Sequence, residues 1–192
     1  MKTKFRFYAC TVFALALISS CKEDENPKVE ESPFFVFFDQ PAITIDTTPA
    51  AATTWEYGFV FNPLAGGKIT KLGVKLPVAG DFTVKLWDLS GVTPVVLRDQ
   101  TITSATVHLP AFVDIAPVSV PKNAQLGITV LANSFYRLQK KDASAFSFPV
   151  VVDNISILSF NEEMRDSSLT TFPQTPNTTR VAPCVNVVFV AD

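Results

Sequence analysis

The sequence predicts an all-β protein, folded as a single jelly-roll-like antiparallel β-sandwich. Apolar and polar residues alternate with a period of two, as in strands with one buried face, along 69–76, 82–89, 125–133 and 184–191. Between the expected strands lie turn-forming stretches rich in Pro, Gly, Asn and Asp, and no segment after residue 33 shows a convincing helical period. Many short strands separated by such turns are typical of a sandwich or jelly roll.

The expected strands follow one another along the whole of the predicted domain. In 55–61, Trp55, Tyr57, Phe59 and Phe61 share one face, which favours a core position, although Trp55 at the strand's start could reach a rim. The full set of expected strands is 34–38, 42–46, 55–61, 69–76, 82–89, 94–99, 105–109, 112–120, 125–133, 150–160 and 184–191.

The first twenty residues have the pattern of an export signal. Lys2, Lys4 and Arg6 precede an uncharged, mostly apolar run that ends at Ile18, which is too short to span a bilayer but has the length of a signal-peptide core. Ser19 and Ser20 then precede Cys21. The stretch from Leu17 to Cys21 resembles a bacterial lipobox, which implies cleavage before Cys21 and lipidation of its thiol.

A lysine and then three acidic residues follow Cys21. The run Lys22-Glu23-Asp24-Glu25 resembles the surface-export signal of Bacteroidota-type lipoproteins, and the alternative is a solvated charge run at the start of a linker. The sequence therefore predicts a signal peptide over 1–20, an acidic tether over 21–33 and a β-sandwich domain over 34–192. The predicted location is the outer membrane, held by a lipid anchor and facing the extracellular side.

Charge and cysteine content restrict the partners and the bonds. Three of the 16 Lys+Arg residues fall within 1–20 and none of the 18 Asp+Glu do, so residues 21–192 carry a net charge of −5. That charge argues against nucleic acid as a partner, because such binding needs a basic face. After loss of Cys10 with the signal and lipidation of Cys21, Cys184 is left without a disulfide partner.

Three stretches resemble one family of extracellular bacterial β-sandwich modules of unassigned function. They are "GFVFNPLAGGKITKLGVKLPVAGDFTVKLWDLSG" (58–91), "VSVPKNAQLGITVLAN" (118–133) and "TFPQTPNTTRVAPCVNVVFV" (171–190). The closing strand departs from the family pattern, with Asn186 where an Asp is usual. The resemblance implies a jelly-roll fold and an extracellular setting, and it implies no catalytic residue.

The sequence offers little equipment for catalysis, and we expect no enzymatic activity. The single histidine, His108, lies in an expected strand, where a partly exposed sheet residue is the ordinary interpretation. Zinc sites need several His or Cys ligands, and no Gly-rich phosphate loop is present. A pair of carboxylates for glycoside hydrolysis remains an alternative, although eighteen acids make some close pair a weak signal.

Aromatic residues are the candidate ligand contacts. By period two, Trp87 lies opposite Phe82, Val84 and Leu86 and should face solvent or a second layer, so it either stacks against a sugar or packs under a loop.

Further candidates lie near strand ends. Tyr136 and Arg137 follow a strand end at Asn133, in what we expect to be a binding loop, and Trp55 is the fourth candidate ligand contact.

The run 161–168 is a candidate calcium loop. It brings together Glu162, Glu163 and Asp166 with Asn161, and hard cations take six to eight oxygen ligands. The alternative is a solvated hairpin loop. Calcium is thus a possible ligand, and no other cofactor is expected.

Two function classes follow from these features. The first is a non-catalytic binding module, most plausibly for carbohydrate, displayed on the outer membrane. The second is a structural or interaction subunit, or an adhesin component, that binds another surface protein.

Overall fold

A computed structural model describes residues 28–39, 42–48, 51–165 and 171–192. The predicted antiparallel β-sandwich is confirmed. Its elements in the described ranges are β1 (Glu30–Glu31), α1 (Pro33–Phe38), β2 (Ile43–Thr48), β3 (Trp55–Pro63), β4 (Gly67–Val74), β5 (Gly80–Asp88), β6 (Val95–Ser104), β7 (Ala111–Val120), β8 (Leu126–Ala132), β9 (Phe135–Lys140), β10 (Val150–Val152), β11 (Ile155–Met164), β12 (Thr175–Pro176) and β13 (Val185–Ala191).

The strands form two packed sheets and a short ribbon. The large sheet has the order β10-β11-β3-β8-β5-β6, with β12 added on β11; the small sheet has the order β1-β13-β4-β7; and β2 pairs with β9. The pairings β5–β6, β4–β7 and β3–β8 are nested in sequence and alternate between the sheets. This nesting is the wrapped-hairpin connectivity of a jelly-roll-like sandwich.

The core lies between the inner faces of the two sheets. The alternation in β3 confirms the expected core positions of Tyr57, Phe59 and Phe61, each at most 1% exposed, and leaves Trp55 half-buried at the rim. Strands β4, β5, β8 and β13 contribute much of the aliphatic part of the core. Burial of this apolar surface is the dominant stabilising contribution to such a fold.

The N-terminal segment is built into the sandwich. The prediction of a strand over 34–38 is wrong, because Pro33 starts the short helix α1, whose Phe34 and Phe37 enter the core. Phe34 stacks on Phe59 with ring centroids 4.7 Å apart, and its amide donates to the Asn186 side-chain oxygen at 3.0 Å. Since β1 pairs with β13, the folded part begins before the expected boundary at residue 34.

Two further strand predictions and two loop predictions need correction. The expected strand 105–109 is a turn in which His108 has a φ of 68°, and the expected strand 150–160 is a hairpin, β10–β11, that turns at Asp153. The loop expected at Tyr136 and Arg137 is strand β9. Residues 161–164, expected in a loop, continue β11.

The two ends of the sandwich differ in what they carry. Lys28 and Asp192 lie together at one end, with their side-chain nitrogen and oxygen 3.9 Å apart, beside the β3–β4 turn. We call this the tether end. Trp55 starts β3 at the opposite end, which we call the distal end and which the β2–β9 ribbon covers.

Candidate functional site

The outer face of the large sheet carries a buried polar network. The Trp87 indole N–H donates to the Thr129 hydroxyl at 2.9 Å, and that hydroxyl donates to Glu56 Oε1 at 2.9 Å. Arg165 Nε lies 3.5 Å from Glu56 Oε2, and Arg165 Nη2 donates to Glu163 Oε2 at 2.9 Å. The chain of contacts crosses β5, β8, β3 and β11, so it ties four strands together beneath the surface.

Trp87 is a part of this network and is fully buried. The segment after β11 folds back over the sheet, and Phe172 meets the Trp87 ring edge to face at a centroid distance of 6.0 Å. Gly127 makes this close approach possible, because a Cβ at that position would lie 2.5 Å from the Phe172 ring. Of the two expected alternatives, Trp87 therefore faces a second layer, and its ring offers no exposed surface to a sugar.

A groove lies beside this covering segment, and we call it the sheet groove. One wall is the loop 89–94 with Gln125, the other is the segment 171–175, and Val60, Asn161 and Glu163 contribute to its lining. Its volume is about 590 Å3. Ligand sites commonly enclose about 300–1,000 Å3, so the groove has the size of a small-molecule or oligosaccharide site.

The walls of the sheet groove combine apolar carbon with amide groups. Val92 and Pro94 lie on the loop wall, while the exposed side chains of Gln125 and Gln174 offer both donors and acceptors. The Glu163 carboxylate is 42% exposed although Arg165 holds one of its oxygens. Sequence reasoning missed this groove, since its walls are 35 or more residues apart along the chain.

A second group of side chains meets at the distal end. The Arg180 guanidinium lies over the Trp55 ring, 5.4 Å from its centroid, and binds both oxygens of Glu162. Asn177 adds a further donor to Glu162 at 2.9 Å. Trp55, Arg137, Glu162 and Arg180 thus line one narrow cavity of about 10 Å3, which is barely large enough for one water.

Arg137 stands between that narrow cavity and an open one. The open cavity has a volume of about 160 Å3 and is lined by Arg137, Gln139, Lys140, Ser144 and Thr179 among others. The structure therefore brings together three residues predicted from sequence as ligand or metal contacts, Trp55, Arg137 and Glu162. Arg180 joins them without having been predicted.

Tyr136 faces away from this group. It is 5% exposed, and its hydroxyl pairs with Nδ1 of the exposed His108, while its backbone amide donates to the Cys184 sulfur at 3.3 Å. Burial raises the pKa of Tyr136, and burial raises the pKa of the Cys184 thiol to about 12. Alternation along β9 turns Tyr136 inward where Arg137 turns outward, so Tyr136 offers little exposed surface at this end, and its role as a ligand contact stays a prediction.

Two of the expected calcium ligands lie apart in the structure. Glu162 and Glu163 are neighbours in β11, so they point to opposite faces of the large sheet, and each binds an arginine. Asp166 and Cys21 lie outside the described residues. Among the residues that the structure describes, no three His, Cys, Asp or Glu side chains lie close enough to hold a metal ion.

Comparison with known proteins does not assign the chain to a family. Neither a family model, nor a curated protein, nor a solved structure matches the chain. Over the described ranges, no helix has both the length and the apolar character needed to cross a membrane.

Proposed function

We propose that the protein is a surface lipoprotein whose β-sandwich is a non-catalytic binding module for carbohydrate, and that the ligand lies in the sheet groove. The observation that carries this proposal is an open groove of about 590 Å3 whose walls alternate apolar carbon with exposed amides. Cys21 would hold the chain in the outer membrane, with the domain on the extracellular side.

The chemistry of the walls fits a neutral sugar. A sugar hydroxyl both donates and accepts hydrogen bonds, and the side chains of Gln125 and Gln174 can do the same from opposite walls. Val92 and Pro94 supply apolar surface for the C–H groups of a sugar ring. Ligand sites commonly have a mostly apolar lining in which a small number of polar groups are placed accurately.

The buried network supports the proposal by giving the groove a rigid floor. Glu56 and Arg165 are 1% and 3% exposed and link β3 to the segment that forms one wall. Phe172, held between Trp87 and Gly127, fixes the same wall from below. A site whose walls are already ordered loses less conformational entropy when a ligand binds.

Binding to a polysaccharide panel tests the proposal. The protein used comprises residues 22–192, because this range retains every described element, including β1 at Glu30–Glu31. Thr175→Ala and Gln125→Ala change exposed side chains on the two walls, and Thr101→Ala, an exposed threonine on β6, is the matched control.

We expect retention on at least one neutral polysaccharide, weakened by each wall variant and unchanged by Thr101→Ala. No binding across the panel, or binding that both wall variants keep in full, would refute a glycan site in this groove.

A protein partner is the second candidate, favoured by exposed apolar residues next to the groove. Val92, Val95 and Val96 stand on the β5–β6 hairpin, and Val92 is fully exposed. Val95 does not line the sheet groove, so Val95→Asp separates the candidates. The interaction subunit is favoured by two results together. The parent protein retains no glycan but is cross-linked to a surface protein, and Val95→Asp loses that cross-link.

A further inference from the structure

Arg137, unlike Arg165 and Arg180, is not paired with a carboxylate among the residues that the structure describes. Arg165 and Arg180 each bind carboxylates, and Arg98 donates to the Ala116 carbonyl at 2.9 Å. Arg137 has no carboxylate within 4.0 Å of its guanidinium among the described residues. A half-buried guanidinium without a counter-charge is a ready partner for an anion.

Neighbouring side chains hold Arg137 in place without neutralising it. With its amide oxygen turned toward the guanidinium, Gln139 accepts from Arg137 Nη2 at 2.7 Å and from Nε at 3.0 Å. Asp46 lies opposite Arg137 in the β2–β9 register, yet its carboxylate accepts from the Thr47 amide and makes no ion pair with Arg137. The fork is thus oriented by an uncharged group while its charge remains available.

The open cavity beside Arg137 supplies a second positive charge and space. Lys140 lines it from the end of β9, with its ammonium 5.7 Å from the Phe146 ring centroid. Asp142, the acid of the following turn, accepts bonds from the Ser144 amide and hydroxyl at 3.0 and 2.7 Å. At about 30 Å3 per water, the cavity of about 160 Å3 holds roughly five waters, which is room for a carboxylate or sulfate group.

The position of this cavity suits a ligand that arrives from outside. Arg137 lies at the distal end, opposite the tether end where Lys28 meets Asp192. The chain as a whole is acidic, so the pair of Arg137 and Lys140 is a local positive patch on a negative protein. Such a patch attracts anions selectively and in a salt-dependent manner.

We propose that the cavity between Arg137 and Lys140 is an anion-binding site. It binds a carboxylate, sulfate or phosphate group of an extracellular ligand, with the guanidinium N–H groups of Arg137 that Gln139 leaves open as donors and Lys140 as a second charge. The proposal does not depend on the sheet groove, because the two sites share no lining residue.

Calorimetric titration of residues 22–192 tests this site with four probes: an oligogalacturonate, a sulfated oligosaccharide, inorganic phosphate and a neutral oligosaccharide of the same length. The variants are Arg137→Gln, which removes the charge, and Arg137→Lys, which keeps the charge but removes the fork. Lys122→Gln removes one positive charge from the exposed turn at the tether end and is the matched control.

We expect at least one anionic probe to bind the parent protein at low salt. The neutral probe should bind Arg137→Gln as it binds the parent protein. Arg137→Gln should weaken anion binding about tenfold or more, since charged hydrogen bonds contribute at least the ~1.4 kcal/mol that a tenfold change requires. Arg137→Lys should fall between, and Lys122→Gln should match the parent protein.

The three anionic probes identify the source of the anion. Binding of the oligogalacturonate or the sulfated oligosaccharide alone assigns an acidic glycan, and binding of phosphate alone assigns a free anion. The proposal is overturned if no anionic probe binds the parent protein, or if Arg137→Gln binds as tightly as the parent while its circular dichroism shows it folded.

Discussion

The buried ion pair under the sheet groove makes a quantitative prediction. Arg165→Met keeps an unbranched side chain but removes the guanidinium whose Nε lies 3.5 Å from the carboxylate of Glu56, a residue that is 1% exposed. Removing one partner of a buried pair typically costs about 3–5 kcal/mol, because a charge stays buried without its counter-charge. We expect Arg165→Met to lose that much free energy of unfolding.

A double variant separates the lost charge partner from lost packing. In Glu56→Gln/Arg165→Met the glutamine oxygen still accepts from Thr129 at the position of Glu56 Oε1, and neither charge of the pair remains. The double variant should therefore recover about 2 kcal/mol or more of what the single variant loses. If the loss came from packing alone, both variants would be equally unstable.

Urea denaturation measures both quantities. Trp87 and Trp55 are the two tryptophans, and Trp87 is buried at the network, so its fluorescence reports the transition directly. Equal slopes of free energy against urea for all variants would show that the change lies in stability. An Arg165→Met protein within about 1 kcal/mol of the parent, well below the usual cost of an unpaired buried charge, would refute the reasoning.

Three further predictions follow from other parts of the structure. Because burial raises the pKa of Cys184 from its ordinary 9.0 to about 12, its stability contribution is complete below pH 9 and declines as the pH rises toward 12; Cys184→Ala should flatten that decline in alkaline urea titrations. Asn186→Asp places a carboxylate at a fully buried position where one backbone N–H, from Phe34, donates to it, and calorimetric melting should show a loss of about 1–3 kcal/mol or more. Calcium in excess should leave the melting temperature unchanged, since Glu162 and Glu163 face opposite ways and each holds an arginine; a rise that a chelator reverses would contradict this.

The core-facing side of the main strands was predictable from the sequence. In β3, β5, β8 and β13 the residues that the period of two assigns to the core are mostly buried, because successive side chains on a strand point to opposite faces. The opposite face of these strands is also largely buried, for example at Glu56, Trp87 and Thr129, which the pattern did not predict. The short helix α1 was missed although Pro33 at its first turn is a recognised start signal, because a run of aromatic and β-branched residues also fits a strand.

The candidate sites were predictable only in part, because they depend on contacts between distant segments. Alternation correctly opposed Trp87 to Leu86, but the layer over Trp87 comes from Phe172, 85 residues later. Trp55 and Arg137 meet through the β2–β9 ribbon, whose strand β9 was expected to be a loop. Alternation in β9, with Tyr136 and Leu138 buried on either side of Arg137, was the signal that could have found it.

Asn186 gains a physical explanation from the structure. Its side-chain oxygen accepts a hydrogen bond from the backbone amide of Phe34 in α1. A neutral amide meets this need in a fully buried position without the cost of burying a charge. Asn186 therefore helps to fasten α1 to β13.

The most direct test of the central proposal is to map where a neutral sugar binds. Amide resonances of 15N-labelled residues 22–192 would be followed during titration with hexasaccharides built from glucose, mannose, galactose or xylose. A glycan in the sheet groove should shift the amides of Gly91, Gln125, Gln174 and Thr175 and leave those of β9 in place. Titrations that shift no amide, or that shift only amides away from the groove, would contradict the proposal.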